Sequence, residues 1–100
     1  MAEIEKQYLE NLYQAILSLE SAKECAAFLD DICTIQELEA LSQRLEVAGL
    51  LNEGKNYVDI NKQTGASTAT ICRISKCLTY GDGGYRTVLE RIRQGGSDND

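Results

Sequence analysis

Apolar residues recur three and four positions apart along most of this 100-residue chain, and no proline interrupts them. That spacing is the period of an α-helix, and a chain without proline has no covalent block against long helices. Ile4, Tyr8, Leu12, Ile16 and Leu19 form one row, and Leu9, Tyr13 and Leu17 form a second beside it. Together they make a face wider than the stripe of an ordinary surface helix. Such a face must be covered, and in a chain this short a partner subunit is the candidate. No segment alternates as a strand would. The expected class is all-α, about six helices joined by short loops.

Local signals divide the chain. Ser21-Ala-Lys-Glu24 and Thr34-Ile-Gln-Glu37 are capping boxes. In each, the hydroxyl can accept from the backbone N–H of the glutamate while the carboxylate reaches back. The first predicts a short helix through Ala27, Phe28 and Leu29. The second predicts a longer one with Leu38, Leu41, Leu45 and Ala48 on one face. Gly54 can end that helix in the left-handed conformation. Asn56 predicts a cap for a helix over 57–64, Gly65 breaks it, and Ser67 predicts a cap for a helix over 68–78. After the Gly81-Asp-Gly-Gly84 loop, Val88, Leu89 and Ile92 predict a last helix over 85–93. Residues 1–94 read as a single domain and 95–100 as a small, polar, flexible tail.

Composition removes several functions. There is no histidine, which excludes histidine-based zinc sites and any His-containing triad. No cysteine sits in a nucleophile constellation and no glycine-rich phosphate loop occurs, so no enzyme is expected. Cys25, Cys33, Cys72 and Cys77 fit no CxxC spacing and read as small apolar fillers. No metal or other cofactor is implied. Without an apolar N-terminal segment or a run of ~18 apolar residues, the chain is expected to be cytoplasmic, its cysteines reduced, with no membrane partner.

Net charge is −6, from 10 basic and 16 acidic residues. A basic face is the usual footprint of nucleic-acid binding, so that balance argues against it. Its distribution argues otherwise. Residues 1–53 carry 3 basic and 11 acidic groups, net −8; residues 54–80 carry 4 basic and one acidic, net +3; residues 81–100 carry 3 and 4, net −1. Charges beyond ~8–10 Å are largely screened in physiological salt, so a phosphate meets only the local sign. The basic stretch, with Lys55, Lys62, Arg73 and Lys76, spans two short helices joined by Gly65-Ala-Ser67. Ile60, Ile71 and Ile74 are spaced to wedge them together, as in a helix-turn-helix over about 57–78. Asn61 and Thr64 depart from that pattern, which usually has alanine and an apolar residue there.

Thr34-Ile-Gln-Glu-Leu-Glu-Ala-Leu-Ser-Gln-Arg44 resembles the start of the central helix of the Trp repressor family. Gly65-Ala-Ser-Thr-Ala-Thr-Ile-Cys-Arg73 resembles its turn and recognition helix, with Ser75 and Leu78 continuing the match. The resemblance covers residues 25–93 and is strongest to the bacterial YerC/YecD-type branch. It implies a six-helix fold, an intertwined homodimer, and double-stranded operator DNA as partner. The fifth helix would enter the major groove N-terminus first. Ser67, Thr68, Ala69 and Thr70 would then lie nearest the bases, Cys72 and Arg73 just behind, and Lys62 and Lys76 on phosphates.

The resemblance also implies a corepressor pocket, in which two arginines sandwich an indole. Arg44 and Arg73 match them, with Thr34 and Thr70 nearby. Ile74 stands in place of a glycine and Cys77 in place of a serine. Overfilling a packed site costs ~1–3 kcal/mol, a large part of the ~8 kcal/mol behind micromolar binding, so tryptophan is not the expected effector. Arg44 can instead pair with Glu37 or Glu46. The expected function is a dimeric DNA-binding transcriptional regulator, a repressor. Two alternatives stand beside it: gating by another ligand near Arg44 and Arg73, and a helical protein-interaction module that uses the motif only for packing.

Overall fold

The computed structural model describes residues 4–98, the side chains beyond 95 excepted. Six α-helices follow one another, with no strand among the described residues: α1 (Lys6–Leu17), α2 (Ala22–Ile32), α3 (Ile35–Asn52), α4 (Tyr57–Thr64), α5 (Thr68–Tyr80) and α6 (Gly84–Asp98). The chain divides into two compact units, Met1–Leu38 and Glu39–Asp100, where the sequence reads as one domain.

The caps determine where the helices begin. Thr34 and Glu37 form the full reciprocal box: Glu37 N–H donates to Thr34 Oγ1 at 3.1 Å, and Thr34 N–H donates to Glu37 Oε1 at 2.8 Å. At α2, Ser21 Oγ accepts from Glu24 N–H at 3.1 Å, but the Glu24 carboxylate takes the N–H of Glu20 rather than that of Ser21. Asn56 Oδ1 accepts from Asp59 N–H at 2.9 Å and Ser67 Oγ from Thr70 N–H at 3.2 Å, as the sequence predicts. Gly54, at φ +88°, closes α3, with Lys55 N–H bonded to Leu50 O and Gly54 N–H to Leu51 O. These two bonds use the carbonyls that a helix end leaves orphaned.

Helix ends lie further on than the sequence predicts where nothing stops them. α5 continues past Leu78 to Tyr80, and Gly81 N–H bonds to Cys77 O. α6 begins at Gly84 and continues through Gly95 to Asp98, inside the segment read as a tail. Glycine weakens a helix by about 1 kcal/mol relative to alanine but does not forbid it, unlike proline. Residues 99 and 100 of that expected tail lie outside the described residues.

In the second unit, Val47, Ala48, Leu50, Ile60, Ala66, Ile71 and Ile74 are buried together, and Leu51, Leu78, Tyr85 and Leu89 pack against them. The inner face of α3 is therefore Val47, Ala48 and Leu50. Of the predicted row, Ala48 is buried, Leu38 half-buried, and Leu41 and Leu45 exposed. A row of equal spacing on a helix with apolar residues on several sides does not say which side meets the core. In the first unit, α1 and α2 bury no residue. Tyr8, Tyr13, Ile16 and Leu17 lie at 73%, 53%, 50% and 75% exposure while Leu9, Leu12 and Leu19 are half-buried, so the wide face read from the sequence is covered only in part.

Candidate functional site

α4 and α5 meet through a turn that the sequence shapes at three positions. Gly65, at φ +78°, ends α4 in the left-handed region, where a side chain would be strained although space is open around its Cα. Ala66 follows with its methyl buried at 2% exposure. Ser67 then caps α5. Ile60 on one side of the turn and Ile71 on the other are both fully buried, which holds the two helices together.

Two residues that depart from the expected pattern bond to this turn. Asn61 Nδ2 donates to Ala66 O at 2.8 Å. Thr64 Oγ1 accepts from Ala66 N–H at 3.1 Å and itself donates to Ile60 O at 2.7 Å. From α3, Gln43 Nε2 donates to Thr64 O at 3.1 Å. By the sequence pattern alone, Asn61 and Thr64 are departures from a helix-turn-helix. The signal that would have found them is the habit of Asn and Thr beside glycine of bonding to nearby backbone.

The α5 helix has two sides. Ile71 and Ile74 are buried, whereas Thr68, Ala69, Arg73 and Lys76 are exposed. Positions 69, 73 and 76 are spaced four and three apart and so share one helix face. Ser67 and, on α4, Lys62 are exposed as well. Cys72 is half-buried beside this face, and so is Thr70, whose Oγ1 accepts from Ser67 Oγ at 3.1 Å. The N–H groups of the first turn of α5 have no intrahelical acceptor, as at any helix start, and carry partial positive charge. The exposed surface of α5 thus combines hydroxyls, a methyl, a guanidinium and an ammonium on a rigid rod. Such a surface can donate to phosphate and to base edges.

Behind it lies a cavity of about 360 Å³, lined by Ala40, Gln43, Arg44, Thr70, Arg73, Ile74, Cys77 and Tyr85. The structure therefore brings together Arg44, Thr70, Arg73, Ile74 and Cys77 of the expected pocket. Tyr85 and Gln43 were not expected there. Thr34 belongs to the first unit, where Glu37 holds both its hydroxyl and its N–H. Ile74 is only 4% exposed and belongs to the core cluster. The expected pairing of Arg44 with Glu37 or Glu46 is not made: among the described residues the one ion pair is Arg93–Glu90. The Glu37 carboxylate is already engaged as a cap. All four cysteines are free; Cys25, Cys33 and Cys72 are half-buried and Cys77 is exposed. Among the described residues no cluster of three metal-ligating side chains occurs, and no helix is long and apolar enough to cross a membrane.

Comparison with known proteins gives concordant likenesses. Residues 7–93 match the family described as Trp repressor protein. The uncharacterized protein YerC of Bacillus subtilis (strain 168) is 50% identical over 86 residues, covering 86% of this chain and 83% of YerC. A crystal structure of a candidate Trp repressor from Staphylococcus aureus superposes with a TM-score of 0.84 at 43% identity, covering 89% of each chain. That of a TrpR-like protein from Eubacterium eligens ATCC 27750 also gives 0.84, at 51% identity, covering 88% of this chain and 91% of the other.

Proposed function

The chain belongs to the Trp repressor family, and on that premise we propose that it is a sequence-specific DNA-binding transcriptional regulator, a repressor, working in the cytoplasm as a homodimer. Its reading unit in this proposal is a helix-turn-helix made by α4 and α5. One observation carries the reading: α5 buries Ile71 and Ile74 and turns Thr68, Ala69, Arg73 and Lys76 outward, within the one stretch of net positive charge in an acidic chain. In a groove, the threonine hydroxyl and methyl can contact base edges or a thymine methyl. Arg73 can pair with guanine, and Lys62 and Lys76 can neutralise phosphates. The role is one of binding, with no reaction assigned to the chain.

The dimer is supported by the exposed apolar residues of α1, which find no cover in their own unit. Two copies with two reading helices match a two-fold operator, whose half-sites lie about one helical turn apart. The acidic remainder lowers attraction to DNA in general, so useful affinity has to come from sequence-specific contacts made twice.

The test is selection of genomic fragments by the purified chain, followed by mobility shift over a salt series. The expected result is a small set of enriched fragments bound by a species of twice the 11.1 kDa chain mass, with affinity falling steeply as salt rises. A monomer that enriches no fragment would instead support a helical protein-interaction module and end this proposal.

The cavity at Arg44 and Arg73 favours a second reading, gating by a small ligand, because its size lies within the ~300–1,000 Å³ range of ligand pockets. Tryptophan is a poor occupant. Ile74 closes the core side of the cavity with an apolar side chain, and Cys77 offers only a weak acceptor to an ammonium and only a weak donor to a carboxylate. Titration calorimetry with L-tryptophan is expected to give no saturable heat. A saturable signal with a micromolar dissociation constant would show that the Ile74 side chain leaves room for the indole.

A further inference from the structure

We propose that Asn61 and Thr64 are positioning residues that fix the direction in which α5 leaves the turn, and that sequence-specific DNA affinity depends on them. The proposal rests on the DNA-binding reading above. It starts from Ala66, the residue between the end of α4 and the cap of α5. A residue in this position has a backbone N–H and C=O that neither helix satisfies. Both are taken by side chains of α4: Thr64 Oγ1 accepts from the N–H at 3.1 Å, and Asn61 Nδ2 donates to the C=O at 2.8 Å. The peptide units on either side of the Ala66 Cα are thus each tied to the helix before them.

The bracket is anchored in turn. Thr64 Oγ1 donates to Ile60 O at 2.7 Å, so the hydroxyl uses its donor and an acceptor site at once and cannot rotate without losing a bond. Gln43 of α3 holds Thr64 O at 3.1 Å. Burial of Ile60, Ala66 and Ile71 keeps the two helices in contact, but apolar packing is not directional and tolerates small rotations. Hydrogen bonds have narrow angular preferences and remove that freedom. An alanine at 61 and an apolar residue at 64 would leave Ala66 without either partner.

In a homodimer each change acts on both reading helices. A threefold loss at each therefore appears as about a tenfold loss at a two-fold operator. Contacts to phosphate by flexible lysines need no such alignment. The bracket therefore bears on specific binding and leaves non-specific binding nearly alone.

The variants are Thr64→Val, which keeps the shape and removes the hydroxyl, Asn61→Ala at an exposed site, and Thr64→Ser, which restores the hydroxyl. Each is measured for thermal unfolding, for amide hydrogen exchange at Ala66, and for affinity to a selected fragment and to mixed-sequence competitor DNA. In Thr64→Val, the Ala66 amide is expected to exchange about tenfold faster. In Thr64→Val and in Asn61→Ala, specific affinity falls about tenfold and competitor affinity stays within about twofold. Thr64→Ser recovers both exchange and specificity. A merely structural role would lower unfolding temperature while leaving the specific-to-competitor ratio unchanged, and that ratio unchanged in both disruptive variants overturns the proposal. Unaltered Ala66 exchange in Thr64→Val removes the bracket whatever happens with DNA. If the unsubstituted chain prefers no fragment, the DNA reading fails on its own account, independently of the exchange result.

Discussion

Alanine at Lys62, Arg73 and Lys76 together is expected to weaken DNA binding at least about a hundredfold at ~0.15 M salt. Each phosphate contact that releases counterions contributes a slope of ~0.9 in log affinity against log salt, which is roughly fivefold at that concentration. Two such contacts, at Lys62 and Lys76, give a factor of roughly 30 for one protomer, the lost Arg73–guanine pair adds about 1–3 kcal/mol, and a dimer doubles both counts. The slope itself should flatten by about two units per protomer. All three side chains are exposed, so the variant should keep its circular dichroism and unfolding temperature. A mobility-shift series at several salt concentrations reads both quantities. A loss under about threefold, with the slope unchanged, would mean that the basic stretch of 54–80 is an ordinary solvated face.

Ile71→Ala is expected to cost about 2–5 kcal/mol of stability, by lost burial and by the cavity left behind. The residue has no solvent exposure and sits in a cluster of only seven buried side chains, shared by α3, α4, the turn and α5. A domain of this kind has roughly 5–15 kcal/mol in total, so this one change removes a large fraction of it. Neighbours cannot easily collapse into the space, because Ala66 is already small and Ile60 is held on the other side of the turn. In urea the midpoint should fall while the slope stays constant, the sign of lost stability without a changed unfolded state. Ile74→Val removes one methyl group and should cost about 0.5–1.5 kcal/mol in the same assay. If Ile71→Ala cost under 1 kcal/mol, the core would have to lie elsewhere.

What the sequence made legible follows from the range of the interactions involved. Caps act over three residues, so Ser21, Thr34, Asn56 and Ser67 could all be read and all begin helices. The left-handed Gly65 and Gly54 could be read for the same reason. The inner face of α3 could not, because Leu41, Leu45, Val47 and Leu50 are all apolar and only the packed structure selects among them. The bonds from Asn61 and Thr64 to Ala66 look like flaws when compared with a pattern and become intelligible only when the turn is seen in space. For the pocket, it was the resemblance to the family, and no local pattern, that put Arg44 and Arg73 together. Tyr85 entered it from α6, at a distance along the chain that no local rule spans.

The division of labour along α5 has a consequence for how such a protein can change over generations. The side chains that hold the helix in place, Ile71 and Ile74, alternate with exposed ones at Thr68, Ala69 and Arg73 that contribute little to holding it. Substitutions at exposed sites of this kind usually alter stability by under about 0.5 kcal/mol. Under the proposed function, a lineage could therefore change the DNA sequence it reads, one exposed position at a time, without passing through an unstable intermediate. Gene duplication would then supply new regulators from one unchanged scaffold.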